Sequence, residues 1–143
     1  MNGSSPFPPR DSAAPGSGAQ DLVGYDIDLS PTDGSVLVTL DVAEKDLNRG
    51  RSLHGGIIAM MLDAAAGFAV SKHLRPDADA PLVTVTLTTQ FVAAGREGAR
   101  MTTTGRRVGG GRKIHYADAE MRDDTGTLVA RASGVFKPVG GNT

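Results

Sequence analysis

The chain has 143 residues and a formal net charge of −1, which is the size of one domain with room for a hydrophobic core. This charge gives no global attraction to nucleic acid or to an anionic membrane surface. The absence of cysteine excludes a disulfide framework and a thiolate nucleophile, and aromatic residues make up only 4%, which argues against a base-stacking nucleic-acid platform. The N-terminus lacks the apolar core of a signal peptide, so we expect a cytoplasmic protein.

The two ends of the chain are predicted to be tails. Residues 1–20 are rich in Gly, Ser and Pro and have almost nothing to bury, which is typical of disorder. Residues 139–143 form a short C-terminal tail. The single domain is therefore expected to span residues 21–138.

Alternating apolar and polar residues predict six β-strands. We expect them at residues 22–29, 36–42, 83–91, 98–108, 112–123 and 127–137. The third is the clearest, with one face formed by Val83, Val85, Leu87, Thr89 and Phe91 and the other by Thr84, Thr86, Thr88 and Gln90. The last two strands are predicted to join at a turn over residues 123–126, with Gly126 in the left-handed conformation.

Between the second and third strands lies an almost unbroken apolar run, residues 55–70. Its Ala, Met, Leu and Ile residues favour a helix that is apolar around its whole circumference and therefore buried. A membrane span is disfavoured because the run is short of roughly 20 residues and carries a central charge. Two strands, one helix and four strands predict an α+β fold, with an antiparallel sheet curled around the helix. An all-apolar helix also needs cover on every side, which predicts association of two copies.

Asp63 is the single acidic residue of this helix. An uncompensated carboxylate in apolar surroundings is costly, so its pKa is expected to rise by desolvation. Perturbed groups of this kind concentrate at functional sites, but structural networks perturb pKa values as well. From the residues alone, a catalytic role and a structural role as an acceptor of hydrogen bonds both remain open.

His54, Gly55 and Gly56 stand where this helix begins. A helix N-terminus presents unpaired N–H groups and a positive dipole end, suited to an anion or a developing oxyanion, and glycine allows a ligand carbonyl to approach closely. Asp63 lies about 12–14 Å along the axis at 1.5 Å per residue. One chain therefore cannot easily place Asp63 and the Gly55 N–H on one reacting carbon, whereas antiparallel helices of a dimer can.

Asn48, the His54-Gly-Gly motif and Asp63, followed by the Thr-rich strand at 83–91 and by residues 126–130, resemble the hotdog-fold acyl-CoA thioesterases of the phenylacetate-pathway (PaaI-like) type. The resemblance spans residues 21–138. It implies a hotdog fold, in which a curled antiparallel sheet of about six strands wraps around one long helix, and a homodimer that can pair into a homotetramer. It further implies hydrolysis of an aryl- or fatty acyl-CoA, with no cofactor, since coenzyme A is part of the substrate.

The resemblance also implies roles for individual residues. Asp63 is similar to the catalytic carboxylate that activates water or attacks the thioester itself. Gly55 is similar to the backbone N–H donor that polarises the thioester carbonyl. Asn48 and His54 match polar residues that position the thioester or the water across the dimer. Thr84 falls where relatives carry a Ser or Thr that orients the water, although a strand threonine is otherwise more often a plain surface residue.

Several further residues are candidates for substrate contact. Gly56 and Met60 lie beside the predicted catalytic groups, and Met60, Met61 and Phe68 either line an apolar pocket or belong to the core. The basic, glycine-rich stretch at 106–113 is a candidate for the CoA phosphates, although hairpin loops commonly have such sequences. Its predicted contacts are Arg106, Arg107, Gly110, Gly111, Arg112 and Lys113. His73 and His115 lack metal-ligand spacing and are expected on surfaces, so no metal is predicted.

Two other functions remain open. A non-catalytic acyl-CoA-binding module would keep the fold, but it would not need Asp63. A hydroxyacyl thioester dehydratase is another activity found on hotdog folds, but its relatives carry a Pro-containing His motif that this chain lacks. The residues do not distinguish an aromatic from an aliphatic acyl group.

Overall fold

The computed structural model describes residues 17–139, so the predicted tails (1–20 and 139–143) lie outside the described residues except for 17–20 and 139. The elements are helix α1 (Gly18–Val23), strands β1 (Asp26–Asp28) and β2 (Val36–Asp41), a 3₁₀ turn (Glu44–Asp46), helix α2 (Gly55–Leu74), and strands β3 (Leu82–Phe91), β4 (Arg100–Gly110), β5 (His115–Arg122) and β6 (Leu128–Pro138). The predicted order of two strands, one long helix and four strands is confirmed.

The six strands form one antiparallel sheet in the order β1-β2-β4-β5-β6-β3. Its inner face packs against α2, which contacts every strand from β2 to β6. In β2 the predicted alternation is confirmed, because Val36, Val38 and Leu40 are buried. The predicted turn after β5 also forms, with Gly126 at a φ of 86°. The core therefore lies between one helix and one curled sheet.

Helix α2 has 20 residues and ends before Pro76, after a last turn that contains Lys72 and His73. It is long and apolar enough to cross a membrane by length and composition, so the length argument against a span was wrong. One of its faces packs on the sheet, as in the core helix of a globular domain; the buried residues are Ile58, Met61, Leu62, Ala65, Ala66, Ala69, Val70 and Ser71. The opposite face is only partly covered within one chain.

The N-terminal strand differs from its prediction. Residues 18–23 form α1, and only Asp26–Asp28 pair as a strand. The Ser17 hydroxyl accepts a hydrogen bond from the N–H of Gln20 at 3.1 Å, and Gly24 ends the helix in the left-handed conformation. A serine N-cap and a C-terminal glycine favour a helical turn over the strand that the apolar residues suggested, and residues 18–20 belong to that turn, not to a tail.

Strand β3 departs from strict alternation. Its register with β6 shifts between Thr84 and Thr86, which makes Val85 the extra residue of a β-bulge. Thr84 pairs with the buried Phe136 and therefore faces the helix, whereas Val83 faces away. The predicted faces are wrong before the bulge and correct after it, since one extra residue exchanges the two faces of a strand.

Helix α2 and strand β4 approach closely at Gly105. A Cβ atom at this position would overlap the backbone carbonyl of Ala65 in the helix. Neither backbone can move away without separating the helix from the sheet, so the packing requires glycine here.

Replacement of Gly105 by Ala should therefore destabilise the protein. We expect the free energy of unfolding to fall by about 1–3 kcal/mol or more, the cost of overpacking a core. Gly109→Ala in the same strand is the control, because a Cβ there meets no atom within 4 Å. Chemical denaturation of both variants checks this, and equal stability of the two would contradict the packing argument.

Candidate active site

The His54-Gly-Gly motif builds the N-terminus of α2. His54 is the N-cap residue, and its Nδ1 accepts a hydrogen bond from the N–H of Gly56 at 2.8 Å. A Cβ on Gly56 would lie 3.0 Å from that same Nδ1, so glycine leaves room for the cap. The N–H of Gly55 has no acceptor within residues 17–139. It remains available to an acceptor outside this chain.

Phe91, the last residue of β3, lies beside this helix end. A Cβ on Gly55 would be 3.5 Å from the Phe91 ring, although that ring is 58% exposed. The ring therefore forms an apolar wall next to the unpaired N–H. The sequence analysis assigned Phe91 only to one face of a strand. The alternation of that strand did not indicate that Phe91 lies beside Gly55.

Asn48 shapes the loop that leads into the helix. Its Oδ1 accepts a hydrogen bond from the N–H of Ser52 at 3.1 Å, and its own N–H donates to the Ser52 carbonyl at 2.8 Å. Arg51 adopts a left-handed φ of 64° in the loop that these bonds close. Within one chain Asn48 therefore stabilises this loop, and its predicted contact with substrate stays a prediction.

Asp46 is a structural residue that the sequence analysis missed. Its carboxylate is buried, accepts a hydrogen bond from the N–H of Ala43 at 2.9 Å and pairs with Lys45 at 2.8 Å. Its backbone carbonyl accepts a hydrogen bond from the N–H of His54 at 2.9 Å. Asp46 thus anchors the residue that caps α2, and the only signal for it in the sequence was an acidic residue five positions after the end of β2.

Asp63 and Thr84 come together at the middle of the helix. The Thr84 hydroxyl donates a hydrogen bond to Asp63 Oδ1 at 2.7 Å, which the bulge at Val85 makes possible by turning Thr84 inward. Asp63 is half-buried within one chain, not enclosed as the apolar run suggested. Its Oδ2 has no hydrogen-bond partner in the described part of the chain.

These two side chains stand on the wall of a cleft of about 310 Å³ between α2 and the start of β3. That volume lies at the lower end for small-molecule sites. The remaining wall is mainly apolar and includes Ala64, Gly67, Phe68, Pro81, Leu82 and Phe136. The wall also contains Ser71 and a second acidic residue, Asp79, so the cleft combines the hydrogen-bonded Asp63 carboxylate with mainly apolar surroundings.

The three predicted pocket residues of α2 have different positions. Phe68 lines the cleft. Met61 is fully buried in the core, so it contacts no ligand. Met60 is half-buried and lies outside the cleft wall, which leaves its predicted contact with substrate untested.

Within one chain the two main predicted catalytic residues, Gly55 and Asp63, lie far apart. Gly55 begins α2, and Asp63 lies about 12 Å further along at 1.5 Å per residue. Strand β3 runs beside the helix in the opposite direction, so that Thr84 contacts Asp63 while Phe91 reaches Gly55. The cleft wall includes Asp63 but not Gly55.

The basic stretch at 106–113 forms the hairpin between β4 and β5. Arg106 is exposed and pairs with Asp33 at 3.1 Å, and Arg107 donates from Nε to Nδ1 of His115 at 3.2 Å. The other predicted phosphate contacts are exposed around the hairpin turn: Gly110, Gly111, Arg112 and Lys113. Two of the four basic side chains thus have partners within the protein, and phosphate binding stays a prediction.

His115 was predicted on the surface, and that prediction is wrong: it is 1% exposed, opposite Phe136 on the inner face of β5. Its Nε2 has no partner among the described residues. Burial, together with the positive charges of Arg107 and His73, holds the pKa of His115 below its usual value. The alternation of β5 with Ala117 would have placed it inward, but an isolated histidine suggested a surface. His73 is exposed, as predicted.

Comparison with known proteins identifies the family. The family model of the thioesterase superfamily matches residues 50–130, which is more than half of the chain. That range includes His54, Asp63 and Thr84. The chain belongs to the thioesterase superfamily.

Three relatives show how far this similarity extends. A candidate esterase of Pseudomonas aeruginosa is 31% identical over 116 residues, covering 81% of this chain and 84% of the relative. The PaaI protein of the E. coli phenylacetic acid degradation operon is 25% identical with a TM-score of 0.77, over 88% and 87% of the chains. A Streptococcus mutans protein solved with acetyl-CoA is 28% identical with a TM-score of 0.69, over 83% and 91%. The PaaI-like assignment and the hotdog fold are confirmed.

The lowered pKa of His115 makes stability depend on pH. Its ordinary value is 6.5, so the unfolded chain takes up a proton at a higher pH than the folded chain does. The free energy of unfolding should fall as the pH drops below about 6.5, until the folded-state pKa is passed. Thermal midpoints of wild type and His115→Gln between about pH 5 and 8 measure this contribution.

His73→Gln, which removes an exposed histidine, is the control and should retain most of the wild-type dependence. If the thermal midpoint of His115→Gln changes with pH as steeply as that of wild type, His115 does not cause the loss of stability at low pH.

Proposed function

We propose that this protein hydrolyses the thioester of an acyl-CoA to a free acid and coenzyme A. The observation that carries the proposal is the Asp63 carboxylate, which lies on the wall of an apolar cleft with Thr84 bonded to one of its oxygens. A carboxylate held in this way can take a proton from water or attack a carbonyl carbon. The similar Streptococcus mutans protein with bound acetyl-CoA supports an acyl-CoA as the ligand.

In the general-base route, Asp63 accepts a proton as the water oxygen attacks the thioester carbon. The tetrahedral intermediate collapses, the C–S bond breaks, and a proton passes to the leaving sulfur. In the nucleophile route, Asp63 attacks the thioester carbon, and the C–S bond breaks to give a mixed anhydride and the CoA thiolate, which takes up a proton from water. A second water molecule then hydrolyses the anhydride, which releases the free acid and restores the Asp63 carboxylate. Thr84 orients the carboxylate in both routes.

The Gly55 N–H is the proposed donor to the thioester carbonyl. It combines an unpaired N–H with the positive end of a helix dipole, and both stabilise a developing oxyanion. His54 supports this role by capping the same helix end. The cytoplasm remains the expected location.

We infer that a second copy of the chain completes the site. Strand β3 lies at the sheet edge, where unpaired N–H and C=O groups can join another strand. Exposed apolar side chains cluster on and beside it, namely Val83, Val85, Phe91 and Val92. A partner packed there with its helix antiparallel would bring the partner subunit's Gly55 towards Asp63. Two such dimers can pair into a tetramer, as the PaaI-like resemblance implies.

Asp63→Asn should keep the fold and lower kcat by about 10²- to 10⁴-fold, because an amide of the same size cannot accept the proton. The assay is release of free thiol from a panel of acyl-CoAs. Asp118→Asn, an exposed carboxylate on the outer face of β5, is the control.

Thr84→Val is a second test of the same site. It removes the hydroxyl that donates a hydrogen bond to Asp63, and it should lower kcat by about tenfold or more. Its matched control is Thr88→Val, an exposed position on the outer face of β3. An Asp63→Asn enzyme as fast as wild type would refute the assignment. If wild type binds acyl-CoA without hydrolysing it, the chain is an acyl-CoA-binding module.

A shared site predicts complementation between two inactive variants. In a dimer of one Asp63→Asn chain and one Gly55→Val chain, one active site contains both substituted residues and the other active site contains neither. Random assembly makes half of the dimers hybrid, so about a quarter of wild-type activity should return on co-expression. A Cβ on Gly55 makes ordinary contact with Phe91, so the Val variant is expected to fold, with its branches at the helix end.

Light scattering at micromolar concentration measures the oligomeric state of the wild-type protein. A monomer, or verified hybrids no more active than the parent variants, would mean that each chain carries its own complete site.

A further inference from the structure

Two basic side chains join the strands at the base of the β4–β5 hairpin. Arg107 of β4 donates a hydrogen bond from Nε to Nδ1 of His115, the first residue of β5, at 3.2 Å. A histidine nitrogen accepts a hydrogen bond only when it carries no proton, so this ring is neutral and holds its proton on Nε2. That buried N–H has no partner among residues 17–139. The contact therefore joins a permanent cation to a ring whose type titrates near neutral pH.

The surroundings of this contact are positive or uncharged. His73 in the last turn of α2 lies beside His115, with the ring centroids 6.3 Å apart, and β6 contributes the uncharged Phe136 opposite it. Lys72, in the same helical turn, donates to two backbone carbonyls elsewhere. No carboxylate among residues 17–139 forms a hydrogen bond or an ion pair with Arg107 or His115. A proton on His115 would therefore add a positive charge beside Arg107 without a counter-ion.

The hairpin turn offers the protonated ring a different partner. The backbone carbonyl of Arg112 lies close enough to favour the charged form of His115. A protonated ring has an N–H on both nitrogens, so it can donate to this carbonyl but can no longer accept from Arg107. The side chains of Arg112 and Lys113 are exposed cations and supply no counter-ion. Protonation therefore replaces one contact of the hairpin by another.

The segment between Arg107 and His115 can change conformation without disturbing the core. The register of β4 and β5 shifts between Arg107 and Gly109, and three consecutive glycines follow, of which Gly110 has a φ of 134°. A Cβ on Gly109 or Gly111 would meet no atom within 4 Å, so neither residue is packed against the rest of the protein. A bulge followed by glycines places few steric limits on backbone rotation.

We propose that Arg107 and His115 form a pH-sensitive latch, which fixes the β4–β5 hairpin while His115 is neutral and releases it when the ring is protonated. Two like charges at hydrogen-bond distance beneath the surface repel each other strongly, and Arg107 cannot lose its proton, so its side chain moves out. The unpaired N–H on Nε2 already weakens the closed state, because a buried donor without an acceptor costs free energy. The released hairpin belongs to a protein that is otherwise folded.

The latch makes the binding of coenzyme A depend on pH. This consequence rests on the proposed function, since three of the predicted phosphate contacts lie in the segment that moves: Arg107, Arg112 and Lys113. Below the pH at which His115 takes up its proton, KM for an acyl-CoA should rise. The catalytic carboxylate, Asp63, lies outside the hairpin, so release should change kcat much less.

Amide hydrogen exchange of the full-length protein tests the latch directly. After correction for the intrinsic effect of pH, the amides of residues 107–115 should lose protection with a midpoint below 6.5, the ordinary pKa of histidine, while those of β2 (Val36–Asp41) keep theirs. The expected loss is about tenfold or more, which corresponds to one hydrogen bond of a charged group. The exchange of β2 separates local release from unfolding of the whole chain.

Two variants identify the group that titrates. The side-chain oxygen of His115→Gln can still accept from Arg107 but takes up no proton, so the hairpin should stay protected in acid. His73→Gln removes a positive neighbour at an exposed position and should move the midpoint to higher pH. An effect of acid on the fold as a whole would not move in this direction, and this variant tests the latch even if His115→Gln fails to fold.

Kinetics with hexanoyl-CoA measure the consequence for substrate. At about pH 5.5, one unit below the ordinary histidine pKa, KM of wild type should exceed that of His115→Gln by about tenfold. At about pH 7.5 the two values of KM should agree, and kcat should change with pH alike in both proteins. Comparison at equal pH cancels the titration of the coenzyme A phosphates.

Hairpin amides that keep their protection while His115 takes up its proton overturn the proposal. So does an equal loss of protection in His115→Gln, or a midpoint that His73→Gln leaves in place. Equal KM values in acid would overturn the link to coenzyme A. If wild type hydrolyses no acyl-CoA, the proposed function fails, but the exchange data still decide whether the latch exists, and the dissociation constant of coenzyme A then takes the place of KM.

Discussion

Helix α2 is apolar around its whole circumference, but the sheet of one chain can cover only one side of it. Met60, Ala64 and Phe68 on the other side remain partly exposed, and each apolar side chain left in water forgoes up to about 1.5–3 kcal/mol of burial free energy. This uncovered side forms part of the cleft wall and is the basis for the proposed second copy of the chain. Asp63 lies at the border, where apolar groups surround the carboxylate but a substrate can still reach it.

The bulge in β3 connects the fold to the chemistry. In a regular strand Thr84 would face away from α2, and Asp63 would have no hydroxyl beside it. The extra residue, Val85, reverses the faces only at the start of the strand, so the later part still packs its apolar side chains inward. Bulges occur often beside active sites for this reason, because they redirect one side chain without changing the rest of the sheet.

The sequence predicted those features that depend on regular periods. Alternation located β2 and β6, and the apolar run located α2, because burial on one face of a regular element leaves a repeating pattern. It failed at single residues whose environment depends on partners distant in the chain. Neither the bulge that orients Thr84 nor the anchoring of His54 by Asp46 has a periodic signature. His115 was predicted on the surface because an isolated histidine in the sequence does not indicate the strand pairing that buries it.

The candidate site was predicted mainly from a short motif, and the structure adds physical reasons for the types of residue in it. Gly56 leaves room for the His54 cap, and Gly55 leaves its N–H accessible beside Phe91.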